Sequence, residues 1–237
     1  MVERMRDDDS REPRRQVINY TFYKIAPEWR RLEVNQKGAQ RREFGEVLAR
    51  WTESEQMKVL AYSLVGMRAD CDMMLWRICY SLECLQEMQA ELMSTELGSY
   101  LSTPYAYLGM TKRSQYQIGH EGMRQGTLRC GGYKYLSLHP FVKTRAWYQL
   151  PFEQRQDIVS EYVRITEESP DVRVNVTYSF GLDDQEFVIT CESNQPAEFV
   201  DLMMRLRESE NAMFTLRDTP VFTCLHCSPD EMLERLG

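Results

Sequence analysis

No stretch of the 237-residue chain strings together the roughly 18 apolar residues that a membrane-crossing helix needs. A secretory leader is missing as well, because Met1–Arg15 is dominated by charge. Positive charge is not in excess: 29 Lys and Arg stand against 36 Asp and Glu, a formal net charge of −7. Phosphate backbones require a concentrated positive face, so this balance argues against a nucleic-acid partner. The basic clusters at Arg11–Arg15 and Arg41–Arg42 are the size of ordinary solvated surface. Histidine is scarce, with His120, His139 and His226 the full set. A disulfide framework is absent too. The seven cysteines are odd in number and irregularly spaced, which fits a reducing cytoplasm. Cys224-Leu-His-Cys227 has C-x-x-C spacing, but zinc would need two further ligands and no second cluster matches. Ordinary strand-end cysteines are the plainer account of that pair.

What is present is a long alternation of strand and helix patterns, in a chain large enough to fold without staples. Met1–Arg15 reads as a disordered arm. Val17–Ile25 is β-branched and aromatic, as strands are, and Gln40–Trp51 sets Phe44, Val47, Leu48 and Trp51 at helical spacing. Lys58–Met67 and Cys71–Cys79 predict two strands around Arg68-Ala69-Asp70, Leu82–Leu97 a helix capped by Gly98, and Pro104–Met110 a strand. The second half repeats this order. Tyr133–Val142 predicts a strand, Pro151–Ile165 a helix, Val172–Phe180 and Glu186–Glu192 two strands, Pro196–Glu208 a helix, and Phe214–Cys224 a strand. Each half thus has the ferredoxin-like order strand–helix–strand–strand–helix–strand. The fold class is α+β, with residues 16–111 and 133–237 as the halves and the glycine-rich segment 112–132 as linker. Two such halves either stack their sheets or close them into a dimeric α+β barrel.

Several runs are more specific than this pattern. His139-Pro-Phe-Val-Lys143-Thr-Arg145-Ala-Trp147-Tyr148 and Thr177-Tyr-Ser-Phe-Gly181-Leu-Asp183-Asp184-Gln-Glu186-Phe187 resemble two signatures of the chlorite dismutase family. Leu206-Arg207-x-x-Glu210 and Asp218-Thr-Pro220-x-Phe222 are similar to its C-terminal signature. Weaker likeness in the first half lies at Gly66-Met-Arg68-Ala-Asp70-x-Asp72 and Thr111-Lys112-x-Ser114-x-Tyr116. The resemblance implies fused ferredoxin-like halves in a closed ring of subunits, commonly a pentamer. It also implies one haem b or iron coproporphyrin III per C-terminal half, and either oxidative decarboxylation of iron coproporphyrin or conversion of chlorite to chloride and dioxygen. Lys143 then matches a propionate-pairing lysine, and Trp147 and Tyr148 match aromatic positions of the porphyrin pocket.

Two positions depart from that family. The resemblance implies a proximal histidine seven residues after an arginine, and counting from Arg155 reaches Tyr162. Tyrosinate serves as an axial iron ligand in catalase, so Tyr162 is the candidate metal ligand, with Arg164 as a nearby cation. Decarboxylase members carry a radical-relaying tyrosine where this chain has His139, and His139 is a candidate catalytic residue reaching the iron from the distal side. Chlorite-converting members carry a distal arginine whose place falls on Val174 or Asn175, with Arg173 adjacent as a second catalytic candidate. The alternative is a non-catalytic relative, structural, regulatory or porphyrin-carrying. The Asp183-Asp184 pair follows a glycine in a turn, where carboxylates satisfy backbone amides.

Overall fold

The computed structural model describes residues 14–116 and 128–237. The arm expected over Met1–Arg15 and the centre of the expected linker lie largely outside the described residues. The chain begins with β1 (Val17–Ile25), α1 (Val34–Glu53), β2 (Lys58–Ser63), β3 (Met73–Cys79), α2 (Leu82–Ser94) and β4 (Leu101–Met110). It continues with β5 (Tyr135–Lys143), α3 (Arg145–Gln149), α4 (Phe152–Glu167), β6 (Arg173–Tyr178), β7 (Phe187–Ser193) and α5 (Pro196–Glu208). It ends with α6 (Glu210–Met213), β8 (Thr215–Arg217), β9 (Phe222–Cys227) and α7 (Pro229–Glu234).

The strand order is β7-β6-β4-β1-β3-β2-β9-β5-β8, and a further antiparallel pairing of β7 with β5 closes the ring. Within the first half the order is β4-β1-β3-β2, and within the second β9-β5-β7-β6, so the halves repeat one ferredoxin-like arrangement. The sheets therefore form a dimeric α+β barrel rather than a stack. Closure removes open edges, leaving only the short β8 hanging from the end of β5. The seam between β4 and β6 is narrow, with Met110 opposite Tyr178 as its paired position. Gly109 makes that approach possible, since a Cβ there would stand 3.0 Å from Ser179 Oγ and 3.1 Å from the Tyr178 carbonyl.

Alternation of side chains across the strands generates three cores. The barrel interior holds Tyr20, Phe22, Trp76, Leu136, Leu138 and Phe222. Outside it, α1, α2 and α7 cover the first sheet with Phe44, Leu48, Met88 and Leu233, while α4 and α5 cover the second with Ile165, Phe199 and Leu202. Cys224 belongs to the interior and Cys227 to the outer layer of the first half, so the C-x-x-C spacing does not bring the two thiols together. No group of His, Cys, Asp and Glu among the described residues could hold a metal ion. No helix among them is long and apolar enough to cross a membrane.

Two local expectations are corrected. Phe214–Cys224 is not one strand: a cis Thr219–Pro220 bond lies between β8 and β9, where the fixed proline ring and missing N–H interrupt a ladder. Helix α2 stops at Ser94 with Thr95 as its cap, and Gly98 instead opens a short 3-10 turn. A Cβ on Gly98 would meet the Leu92 carbonyl at 2.2 Å, so the glycine is needed for close approach rather than for capping.

Candidate functional site

Helix α4 stands off the second sheet and leaves a cavity of about 670 Å³ beneath it. Pro151 is the N-cap residue of this helix, and Val159, Tyr162 and Val163 face the cavity from it. The sheet side is built by alternate residues of three strands, Phe141 on β5, Val176 and Tyr178 on β6, and Phe187 and Ile189 on β7. The mouth is lined by α3 and the turn after β6, through Trp147, Tyr148, Phe180 and Leu182. Trp147 is buried against Phe214, and Tyr148 meets Phe180 edge-on. Gly181, at φ +73°, permits that turn. Asp183 anchors it to the first half by accepting the Leu108 backbone N–H at 2.8 Å, while its other oxygen accepts the Asp184 N–H. The first half contributes directly to the cavity through the segment after β4, with Lys112, Arg113, Ser114 and Tyr116.

Every charged residue that lines the cavity among the described residues is cationic: Arg15, Lys112, Arg113, Lys143 and Arg155. Among the described residues no aspartate or glutamate lines it, in a chain with a net charge of −7. Lys143 is buried, and its Nζ donates to Asn211 Oδ1 at 2.5 Å and lies 4.1 Å from the centre of the Trp147 ring. Burial brings its ammonium down to about 7, opposed in part by the charge of Glu186. Glu186 itself is engaged, accepting the Lys143 backbone N–H at 2.8 Å and the Tyr148 hydroxyl at 2.6 Å. Burial and this carboxylate together push the Tyr148 phenol upward. Arg155 leaves its buried Nε without a partner among the described residues. A cationic, aromatic-walled cavity with an unsatisfied donor matches a flat apolar guest that carries carboxylates.

Tyr162 sits centrally on α4, half-buried, with its hydroxyl free of hydrogen bonds among the described residues. Burial pushes its phenol up, and the Cys191 thiol acts in the same direction. Arg164, expected as a helper, instead points outward and pairs with Glu168 at 2.7 Å. His139 shares the outward face of β5 with Phe141 and Lys143, but lines a separate small pocket of about 30 Å³ rather than the cavity. Tyr162, Phe141 and Asn211 border both spaces, while Asp218 and Arg207 belong to the pocket of His139. Burial lowers the His139 imidazole to about 4, so it is neutral at ordinary pH.

Arg173 is placed away from these groups. Its guanidinium donates to the Gly131 carbonyl at 2.9 Å, lies 3.6 Å from Glu192 and stacks over the Tyr133 ring. It does not line the cavity, because Val176 and Tyr178 occupy the cavity-facing register of β6. The fold thus brings Lys143, Trp147, Tyr148 and Tyr162 to one cavity, sets His139 behind Tyr162's wall, and turns Arg173 elsewhere. Sequence reasoning missed Arg113 and Asn211, and used Arg155 only as a counting mark. Their spacing carries no signal, since they converge from separate segments.

The geometry defines a barrel protein whose second half opens a cation-lined cavity suited to an anionic, planar ligand. The chlorite dismutase family model matches residues 37–227, and the chain belongs to that family. It is similar to the coproheme decarboxylase of Mycolicibacterium smegmatis, at 28% identity over 176 residues, covering 74% of this chain and 75% of that protein. The chlorite dismutase of Candidatus Nitrospira defluvii in complex with imidazole superposes with a TM-score of 0.84. Identity there is 22%, over 93% of this chain and 94% of that one. A mutant of the same enzyme gives the same TM-score, identity and coverage.

Proposed function

We propose that the cavity binds an iron porphyrin bearing carboxylate side chains, haem b or iron coproporphyrin III, with Tyr162 facing the metal from α4. The observation that carries this is the cationic lining, among the described residues of an acidic chain, of a space walled by Phe141, Trp147, Tyr178 and Phe187. Lys143 and Arg155 would hold carboxylates: among the described residues, the first donates to the neutral oxygens of Asn211 and the second leaves its guanidinium Nε unsatisfied. Pairing of each with a carboxylate replaces weak neutral contacts by charge-assisted ones, worth about 1.5–3 kcal/mol apiece. The aromatic walls exclude water and orient the ring plane. An iron porphyrin, when bound, supplies the redox and peroxide chemistry of its metal.

The relative named as a coproheme decarboxylase and the structural likeness to chlorite dismutase support the same class of ligand. Turnover of either kind is a further step. At the position of the family's relay tyrosine stands His139, neutral and behind the cavity wall. Arg173, beside the family's distal arginine position, faces Glu192. These two placements favour a second reading, a porphyrin carrier or regulatory subunit that binds without turning over. Assembly into a ring with further copies of the chain belongs to the same proposal, by family likeness.

Titration of the purified protein with ferric coproporphyrin III and, separately, haem b decides the matter. Saturable binding with a shifted Soret band is expected, and Tyr162→Phe should remove a phenolate charge-transfer band while His139→Ala leaves it. No shift with either porphyrin would overturn the proposal. Binding without peroxide-dependent loss of carboxyl groups, and without dioxygen from chlorite, would select the carrier reading.

A further inference from the structure

The first half has a groove of its own, about 900 Å³, between α2 and the outer face of β1, β3 and β4. Its floor holds Arg77, only 3% exposed. Arg77 Nε and Nη2 donate to Asn19 Oδ1 at 3.2 and 2.7 Å, and Nη2 also to Thr21 Oγ1 at 2.6 Å. Both acceptors are neutral, and Nη1 is buried without a partner among the described residues. Among the described residues the one acid lining the groove is Glu83 on α2, whose exposed carboxylate accepts the Ser81 hydroxyl at 2.5 Å. Arg77 therefore has no acidic partner among the described residues. A buried arginine retains its charge, so an unpaired one is costly and leaves a site that favours an anion.

The rest of the groove is of opposite character. Leu82, Leu85 and Met93 line it from α2 and Leu108 from β4, and Leu82 and Met93 are exposed at 45% and 36%. One cation flanked by neutral amides and hydroxyls matches a single carboxylate better than a phosphate dianion, and the planar guanidinium fits carboxylate geometry. We propose that this groove is a second binding site, for a small carboxylic acid with an apolar body. The carboxylate meets Arg77, and the body lies along Leu85, Met93 and Leu108. The site shares no lining residue with the porphyrin cavity, which lies beneath α4 and gathers five cations rather than one among the described residues.

Calorimetric titration of the full chain with octanoate, and with octanol as its neutral counterpart, tests this. Octanoate should bind saturably at one site, at least about tenfold more tightly than octanol. Arg77→Gln should erase the difference between the two probes. Met93→Trp, which leaves the Arg77 hydrogen bonds intact, should block both probes by filling the groove. Lys143→Met should leave octanoate binding unchanged. Equal binding of octanoate and octanol by the wild type, or loss with Lys143→Met but not with Arg77→Gln, would overturn the proposal. A wild type indifferent to octanoate, whose oligomer breaks on Arg77→Gln, would also overturn it and assign the groove to a carboxylate of a second copy.

Discussion

The two sheet-and-helix layers share one topology and differ in what lies beneath the first helix of each. In the first half, α1 presses Phe44, Leu48 and Trp51 onto the sheet beside Trp29 and Tyr23, and all but Trp51 are fully buried. In the second, α4 turns Val159, Tyr162 and Val163 toward a cavity of about 670 Å³. A duplicated frame can therefore fill the space beneath its long helix in one half and keep the same space hollow in the other. The filled space beneath α1 adds apolar burial to that of the barrel interior, and the hollow space beneath α4 has room for the charged Lys143 and Arg155 at its wall.

The sharpest way to break that contrast is to hollow out the filled half. Phe44→Ala should cost about 3–5 kcal/mol, because the surrounding wall cannot collapse into the space. Val159→Ala, on the rim of an existing cavity, should cost less than about 1 kcal/mol, since it creates no new enclosed void. Urea unfolding of both variants gives the comparison directly. Equal losses would show that the cavity wall is as tightly built as the core opposite.

The next largest effect is expected in the hollow half, on ligand affinity. Lys143→Met should weaken ferric coproporphyrin III binding about 10- to 100-fold, the worth of one charge-assisted pair in a buried site. An unchanged affinity would move the carboxylate-holding role to Arg155, Lys112 and Arg113.

The same lysine gives the halves different responses to pH. Its ammonium is lowered to about 7 in the folded chain, so the unfolded chain binds the extra proton between that value and the ordinary lysine range near 10.5. Lys143 therefore costs stability at neutral pH and below, and the cost is relieved as pH rises from about 7. His139, lowered to about 4, acts in the same direction on the acid side: stability is lost as pH falls from near 6.5 through 4. Unfolding curves across pH should show Lys143→Met flattening the alkaline rise and His139→Phe flattening the acid fall. A bound carboxylate raises the lysine again, so porphyrin affinity should decline as pH climbs above about 7.

Much of this was legible in the residues. Tandem strand–helix order predicted the repeated halves, because alternation and helical spacing are local properties. The run from Lys143 to Tyr148 identified one wall of the cavity, since α3 follows β5 without interruption. The dimeric barrel was expected from the sequence, but the pairings that close it, β2 with β9 and β4 with β6, join distant segments that no local pattern encodes. The convergence of Lys112, Arg113 and Arg155 is hidden for the same reason. His139 shows a different limit: its alternation with Phe141 and Lys143 correctly gives the face of β5, but not that Tyr162's wall stands between it and the cavity.

Arg173 offers the smallest expected change and the most pointed control. Its neighbours Val174 and Val176 pack toward the outer layer, whereas its own guanidinium serves Gly131, Glu192 and the Tyr133 ring. Arg173→Gln should leave porphyrin affinity within about twofold, since the lost contacts lie on the far side of the strand, and distant sites act additively. Its effect should fall on Glu192 instead. That carboxylate is 1% exposed and already raised by burial, and Arg173 is among the groups that hold it down. Removing the arginine should raise the carboxylate further and reduce stability most at neutral and alkaline pH, where the charge must be kept. A porphyrin affinity that fell with Arg173→Gln as steeply as with Lys143→Met would mean that the two faces of β6 are coupled, and that the cavity extends its influence through the sheet.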